Sequence, residues 1–137
     1  MESNEKYLTK ATKHTISQVT PNDKSLELRV LLLERLDSID IKSGERMTQF
    51  LVADSSGSIR CNFFGQGGSQ LQQGDIVYLA ACYAHYYKES TLTLYSGKKG
   101  QFWKVGEFFM LYSDSPYVGD SRWERDPRNP SLYRRLS

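Results

Sequence analysis

The segment covering residues 52–95 constrains the fold of this chain more than any other part of the sequence. Its apolar side chains alternate with polar ones in short runs, which are separated by a Ser-Ser-Gly turn at residues 55–57 and a Gly- and Gln-rich linker at residues 65–73. A period of two is typical of strands, whereas a helix repeats its apolar residues every three to four positions. The segment predicts strand, tight turn, strand, short linker, strand, turn and strand, and we expect the chain to be all-β.

The alternation predicts five strands. They are placed at residues 26–36, 46–54, 58–64, 73–86 and 91–95, with a hairpin loop at residues 37–45. Weaker signals predict a short strand or turn at residues 15–19, one helical turn at residues 69–71, and a last short strand or helical turn at residues 103–110. This order is compatible with a Greek key, and the break after the third strand favours a five-stranded OB-fold barrel. An SH3-like barrel stays open from the pattern alone.

Length and composition indicate one domain. The chain has 137 residues, of which 39% are hydrophobic, and this suffices for one modest core but not for two. We predict a disordered N-terminal tail at residues 1–13, an OB-fold domain at residues 14–112 and a C-terminal tail at residues 113–137, with disorder as the default for that tail. The N-terminus resembles no signal peptide and no apolar run approaches the length of a membrane span, so we expect a soluble intracellular protein.

The charge is unevenly distributed along the chain. The net charge is only +2, and residues 14–112 hold ten Lys and Arg against ten Asp and Glu. The positive excess lies in the first 13 residues and after Gly119. A neutral body cannot rely on bulk electrostatic attraction, so any affinity for nucleic acid must depend on base stacking.

The residue types that support catalysis or metal binding are sparse. Cys61 and Cys82 stand 21 positions apart inside predicted strands, which favours small buried thiols in a reducing compartment over a disulfide or a metal site. His85 sits on a strand among tyrosines, where a packing or stacking role is more common than a base. Asp54 and Asp75 lie beside glycines at strand edges, where turn formation is the commoner role. We therefore expect no enzyme activity, no metal and no cofactor.

Aromatic side chains with nearby cations are the strongest functional signal. Alternation in the third strand turns Ile59, Cys61 and Phe63 inward, which places Phe64 and Arg60 together on the outer face. The parity that buries Leu92 and Leu94 likewise turns Tyr95 outward. Exposed aromatics on a small β-scaffold are what a single-stranded nucleic-acid platform requires.

The fourth strand is harder to interpret. Strict alternation groups Tyr83 with Val77, Leu79 and Ala81, which would bury it unless a bulge interrupts residues 80–82. Tyr86 and Tyr87 are adjacent, so one faces inward and one outward, and spacing does not decide which. From the residues alone, a core position is favoured for Tyr83.

Several segments taken together resemble the SOSS-B family of simple eukaryotic single-stranded DNA-binding proteins, which are small components of the SOSS complex. They are V-A-D-S-S-G-S-I, L-Q-Q-G-D-I-V-Y-L, Y-A-H-Y-Y-K, L-T-L-Y-S-G and K-V-G-E-F-F-M-L-Y-S, within residues 16–112. The resemblance implies an OB fold that binds single-stranded DNA, and also RNA, in the nucleus. It implies stacking on Phe64, Tyr83, Tyr87 and Tyr95, and therefore a bulge before Tyr83.

The resemblance also implies a protein partner. A contact to a large helical scaffold protein, SOSS-A, shared with the Integrator complex, would fall on Glu107 and Phe108.

The cations expected to steer the nucleic-acid backbone are Arg60, Lys88 and Lys98. The function expected is that of a small subunit in DNA repair or RNA processing. The alternative is an OB-fold interaction module that docks the scaffold and binds nucleic acid weakly or not at all.

This sequence departs from the family pattern in four places, one of which is a turn at residues 88–90 that is one residue longer than usual. Phe64 replaces the usual Trp of the third strand, and Cys82 replaces the Gly that usually precedes the fourth-strand Tyr. The chain lacks a long Pro-, Ser- and Gly-rich tail and ends instead in R-W-E-R-D-P-R-N-P-S-L-Y-R-R-L-S. The smaller ring and the neutral body favour the docking alternative slightly.

Overall fold

A computed structural model of the chain describes residues 11–40, 45–87, 91–96, 101–107, 112–113, 115–120, 123–126 and 129–135. Six strands form one sheet: β1 (Leu26–Asp40), β2 (Arg46–Asp54), β3 (Gly57–Phe64), β4 (Asp75–Tyr87), β5 (Thr91–Tyr95) and β6 (Phe102–Glu107). A short helix, α1 (Gln66–Ser69), connects β3 to β4, and 3-10 turns occupy Ile16–Gln18 and Val118–Asp120. Strands β7 (Trp123–Asp126) and β8 (Asn129–Arg135) pair with each other in a second, antiparallel sheet.

The larger sheet closes into a barrel. Its strand order is β1-β2-β3-β5-β4-β6, and β1 also pairs with β4, so the first five strands form a ring. Strands β3 and β5 are parallel, and the other pairs are antiparallel. This five-stranded Greek-key barrel, with its helix between the third and fourth strands, is the predicted OB fold. The last predicted element is a strand, β6, which extends the sheet beside β4.

The predicted inner faces form the core. Alternate residues of β1, β3 and β5 are buried as expected: Leu26, Leu28, Val30, Leu32, Ile59, Cys61, Phe63, Leu92 and Leu94. The turn Ile16–Gln18 adds Ile16, and its neighbour Val19 is also buried. Among the described residues, no helix has the length and apolar character needed to cross a bilayer.

The first hairpin is longer than predicted. Residues 37–40 belong to β1 and pair with residues 46–49 of β2, whereas the sequence placed them in the loop. Their side chains are all exposed or half-buried, so no apolar alternation marks them as a strand. An ion pair between Asp40 and Arg46 (3.2 Å) bridges the end of the hairpin. Cross-strand pairing, which local pattern does not report, extends the strand.

A β-bulge divides β4 into two halves. Val77 and Leu79 point into the core before it, and Cys82 and Ala84 do so after it, so the inward parity changes by one residue. In the pairing with β1, Leu26 lies opposite Cys82 and Leu28 lies opposite Leu79. Two residue steps on β1 therefore match three on β4, which leaves one extra residue on β4. Ala81 supplies the extra residue and has a φ of 58°. The bulge implied by the family resemblance is confirmed, and the burial of Tyr83 predicted by strict alternation is wrong.

Described residues just beyond Tyr112 also pack on the barrel. Ser113 donates its N–H to the carbonyl of Asp54 (2.8 Å), and Ser58 donates its N–H to the carbonyl of Pro116 (3.1 Å). The side chain of Val118 is 3% exposed and belongs to the core. We call Ser113 and residues 115–120 the C-terminal strap. The domain boundary at residue 112 stays a prediction, but the strap and the β7–β8 pair both lie beyond it, where the sequence predicted no strand.

The two thiols lie in the core. Cys61 and Cys82 are free and buried, as the sequence predicted. Burial raises the pKa of the Cys82 thiol to about 12, and that of Cys61 is also well above its ordinary value.

Because the thiolate is the reactive form, we expect neither thiol to react with Ellman's reagent at pH 8 in the folded protein. Both should react within minutes in denaturant. Rapid labelling of one thiol under native conditions would contradict the buried placement of that cysteine.

Candidate functional site

Three aromatic rings form a row on the outer face of the barrel. The rings of Tyr83 and Tyr95 are stacked, with centroids 5.1 Å apart and planes inclined by 7°. Phe64 continues the row from Tyr95 at 6.1 Å and 23°. Tyr83 is 36% exposed, and the other two rings are half-buried. Three predicted stacking residues are therefore adjacent in space although they come from three strands, and we call them the aromatic row.

Strand register brings these rings together. Tyr83 of β4 lies opposite Tyr95 of β5, and Tyr95 lies beside Asn62 of β3 in the parallel pair. The ends of β3 and β5 are tied by two hydrogen bonds: Phe64 donates its N–H to the Ser96 hydroxyl (3.1 Å), and Ser96 donates its N–H to the carbonyl of Asn62 (3.0 Å). The backbone beneath the row is thus fixed independently of any ligand.

The same face carries further side chains, most of them polar, at two levels along the strands. Gln49 of β2 lies opposite Asn62, and their amides are hydrogen-bonded at 2.9 Å. One step further along the strands, a line of four neighbouring residues crosses the face: Leu51 of β2, Arg60 of β3, Thr93 of β5 and His85 of β4. The predicted cation Arg60 therefore lies on the face of the aromatic row, separated from Phe64 along β3 by Asn62.

His85 belongs to this face, although it was not placed among the candidate stacking residues. Its side chain is exposed, follows Tyr83 by two positions, and lies 3.2 Å from the amide oxygen of Asn22 through Nδ1. The signal that finds it is the bulge, because once Tyr83 points outward, His85 must do so as well. A flat imidazole beside two stacked phenols extends the aromatic surface.

The charge of the face is low. Partial burial raises the pKa of Tyr83 above its usual value, so its phenol is neutral and places no negative charge beside a phosphate at physiological pH. Lys104, which follows the predicted aromatics in sequence, binds Asp75 (3.2 Å) and Glu107 instead of facing the row. The predicted cations Lys88 and Lys98 lie outside the described residues.

The remaining predicted site residues fall elsewhere. Tyr87 pairs with Thr91 at the end of β4, and its side chain is outside the described set, whereas Tyr86 packs against the core. Glu107 ends β6, pairs with Asp75 in the sheet and binds Lys104. Phe108, the other predicted interface residue, lies outside the described residues.

A second surface feature lies beside Glu107. A groove of about 530 Å³ runs between α1 and β6, and its apolar lining comes from Leu71, Phe102 and Trp103. Asp75, Lys104 and Glu107 contribute polar side chains to it. None of its lining residues belongs to the aromatic row, so the barrel presents two separate candidate surfaces.

The described residues offer no obvious metal centre. They contain no cluster of three or more His, Cys, Asp and Glu side chains placed to hold an ion.

Comparison with known proteins identifies the fold. No protein-family model matches the chain. A hypothetical protein from Arabidopsis thaliana, known from its solution structure, is similar with a TM-score of 0.67 at 17% identity, over 93% of this chain and 96% of that one. The second OB-fold domain of replication protein A from Methanococcus maripaludis is similar with a TM-score of 0.54 at 18% identity, over 69% of this chain and 95% of that domain.

These likenesses show that the chain has an OB fold. The archaeal match covers 69% of the chain and the Arabidopsis match 93%. A match of 93% leaves 7% of the chain, about ten residues, uncovered. Residues 113–137 are more numerous than that, so the Arabidopsis likeness includes part of the sequence beyond Tyr112.

Proposed function

We propose that this protein binds single-stranded nucleic acid by stacking bases on the aromatic row. The observation that carries the proposal is the placement of Phe64, Tyr95 and Tyr83 side by side on the outside of the barrel, where the fold does not need them. Each base stacked on such a ring contributes roughly 1–3 kcal/mol. A row of three rings therefore supports useful affinity without a strongly basic body.

The position of the row on the barrel supports the same function. OB folds bind oligonucleotides on the face of their second and third strands and with the loops that follow the first and fourth strands. Phe64 and Arg60 belong to β3, and Gln49 and Leu51 to the adjacent β2. In the sequence, Lys88 falls between the end of β4 and the start of β5. The likeness to a replication protein A domain adds support.

The finer assignment rests on the sequence resemblance to the SOSS-B family. On that basis the protein is a non-enzymatic nuclear protein that binds single-stranded DNA, and also RNA, without a cofactor. It acts as the small subunit of a larger assembly in DNA repair or RNA processing. Tyr87 and Lys98 complete the proposed contact set, and the departures at Phe64 and Cys82 distinguish this chain within such a family.

A second candidate function is supported by the groove beside Glu107. The groove is lined by Leu71, Phe102 and Trp103 together with the charged Asp75, Lys104 and Glu107, and protein interfaces combine apolar and polar surface in this way. In this case the protein docks a large helical scaffold protein of the SOSS-A type through Glu107 and Phe108, and its aromatic row contributes little. The two functions are compatible, because they use different surfaces.

Fluorescence anisotropy of labelled oligo-dT, about 30 nucleotides long, tests the proposed function. We expect clear preference for the single strand over a duplex of equal length, because only unpaired bases can stack on the rings. We also expect a shallow dependence of affinity on salt, since few phosphates meet a cation on this face.

Other results would redirect the assignment. Equal binding to duplex with a steep salt dependence would mean that the arginines of residues 122–135 bind nucleic acid without the barrel. Absence of binding to either would leave the docking function, which pull-down with a purified scaffold protein and a Glu107→Ala control would then test.

A further inference from the structure

We propose that the amide pair of Gln49 and Asn62 hydrogen-bonds to the edge of one base stacked on the aromatic row. This inference rests on the proposed function and adds to it a base-reading group. It assigns the pair a polar ligand, a purine or pyrimidine edge with a hydrogen-bond acceptor. The row then supplies affinity, and the pair supplies discrimination between base edges.

The pair is unusual for residues on the outer face of a barrel. Asn62 is completely buried and Gln49 is 7% exposed, although both follow the outward parity of their strands. The Gln49 side-chain amide donates to the Asn62 oxygen at 2.9 Å. The Asn62 Nδ2 has no hydrogen-bond partner among the described residues and is shielded from solvent. A covered amide donor of this kind costs stability that a similar apolar side chain would not.

The position of Asn62 indicates what would satisfy this donor. It lies beside Tyr95 in the β3–β5 pair and two residues before Phe64 on the same face. A base stacked on either ring brings its own edge, with carbonyl or ring-nitrogen acceptors, next to the amide. Both rings stand outside the core, and changes of side-chain rotamer are common when an interface forms, so we infer that such a change uncovers Nδ2. Gln49 continues to hold the Asn62 amide through the hydrogen bond to its oxygen.

The test uses a base that stacks but cannot form hydrogen bonds. Oligo-dT is compared with a series in which a single thymine, at each position in turn, is replaced by its apolar isostere difluorotoluene. We expect at least one position where the wild-type protein loses about tenfold in affinity, the size of one good hydrogen bond. The double variant Gln49→Met, Asn62→Leu should bind oligo-dT and the oligonucleotide with the isostere at that position equally. Gln72→Met, an exposed amide outside the face, should behave as the wild type.

A stability measurement separates a base-reading role of the amide pair from a purely structural one. Removing both amides removes the unsatisfied donor, so the double variant should unfold at the same or a higher temperature than the wild type. A lower unfolding temperature, together with unchanged discrimination against the isostere, would overturn the proposal and make the pair structural. If the double variant does not fold, Asn62→Leu alone serves the binding comparison, because it removes the Nδ2 donor, and discrimination equal to wild type would again overturn the proposal.

The outcomes for the wild-type protein distinguish this inference from the proposed function. Binding of oligo-dT with equal affinity for every isostere position would overturn the base-reading role and leave the stacking function intact. Absence of oligo-dT binding would overturn both.

Discussion

Replacing Phe64 and Tyr95 together by alanine should weaken binding of single-stranded oligo-dT by about 100-fold or more and leave the barrel folded. The two rings lie next to each other in the aromatic row, 6.1 Å apart, and each stacked base contributes roughly 1–3 kcal/mol. Both side chains are half-buried on the outer face, so their removal opens no cavity in the core. Anisotropy titration and thermal unfolding of the same samples measure the two effects.

Phe63→Ala is the matched control, because it removes the same ring one position earlier. Phe63 is completely buried and packs edge-on against Phe50 (5.8 Å) and Phe102 (5.0 Å). Its loss should cost about 3–5 kcal/mol of unfolding free energy. Unfolding of the Phe64 and Tyr95 double variant would mean that the outer rings support the fold. A folded double variant with wild-type affinity would exclude the row as the binding surface.

Ending the chain after Tyr112 should lower the free energy of unfolding by about 3 kcal/mol, although it removes none of the six strands of the barrel. The truncation deletes Val118 from the core and the backbone hydrogen bonds that join Ser113 to Asp54 and Pro116 to Ser58. The turn between β2 and β3 loses its cover on that side. Denaturant unfolding followed by tryptophan or tyrosine fluorescence measures the change.

The control for this truncation ends the chain after Asp120. It keeps the C-terminal strap and removes β7 and β8, for which we expect a much smaller effect on unfolding. If the two truncated proteins unfold at the same denaturant concentration, the strap does not stabilise the barrel. Any stability that both have then lost relative to the full chain is due to the β7–β8 pair.

The sequence predicts the strands with clear alternation and misses what depends on distant partners. The bounds of β2 and β5 and the inward faces of β3 and β5 follow from apolar residues at every second position. The extension of β1 to Asp40 does not, because Asp37, Ser38 and Asp40 carry no such signal and only the pairing with β2 makes them a strand. The C-terminal strap is not predicted for the same reason, since its contacts join residues more than 50 positions apart.

The candidate site divides in a similar way. The parity of β3 and β5 is sufficient to place Phe64 and Tyr95 outside the barrel, and it also places Asn62 there. Parity alone fails for Tyr83, because a bulge inserts one residue into β4 and the only local sign of it is the run Ala80-Ala81-Cys82. The unsatisfied amide of Asn62 was not predictable, because its burial depends on side chains from neighbouring strands.

The extra residue at Ala81 makes the outer face depend on the backbone conformation of one position as well as on the side chains that the face carries. Substitutions at positions 83 and 85 change single rings and leave the rest of the face in place. A β-branched residue in place of Ala81 would disfavour its positive φ and so favour a strand of the same length without the bulge, and regular alternation would then turn Tyr83 and His85 toward the barrel interior and Cys82 and Ala84 toward solvent. Through evolution, point mutations on the face can therefore tune this surface gradually, whereas a single substitution that removes the bulge would eliminate it in one step.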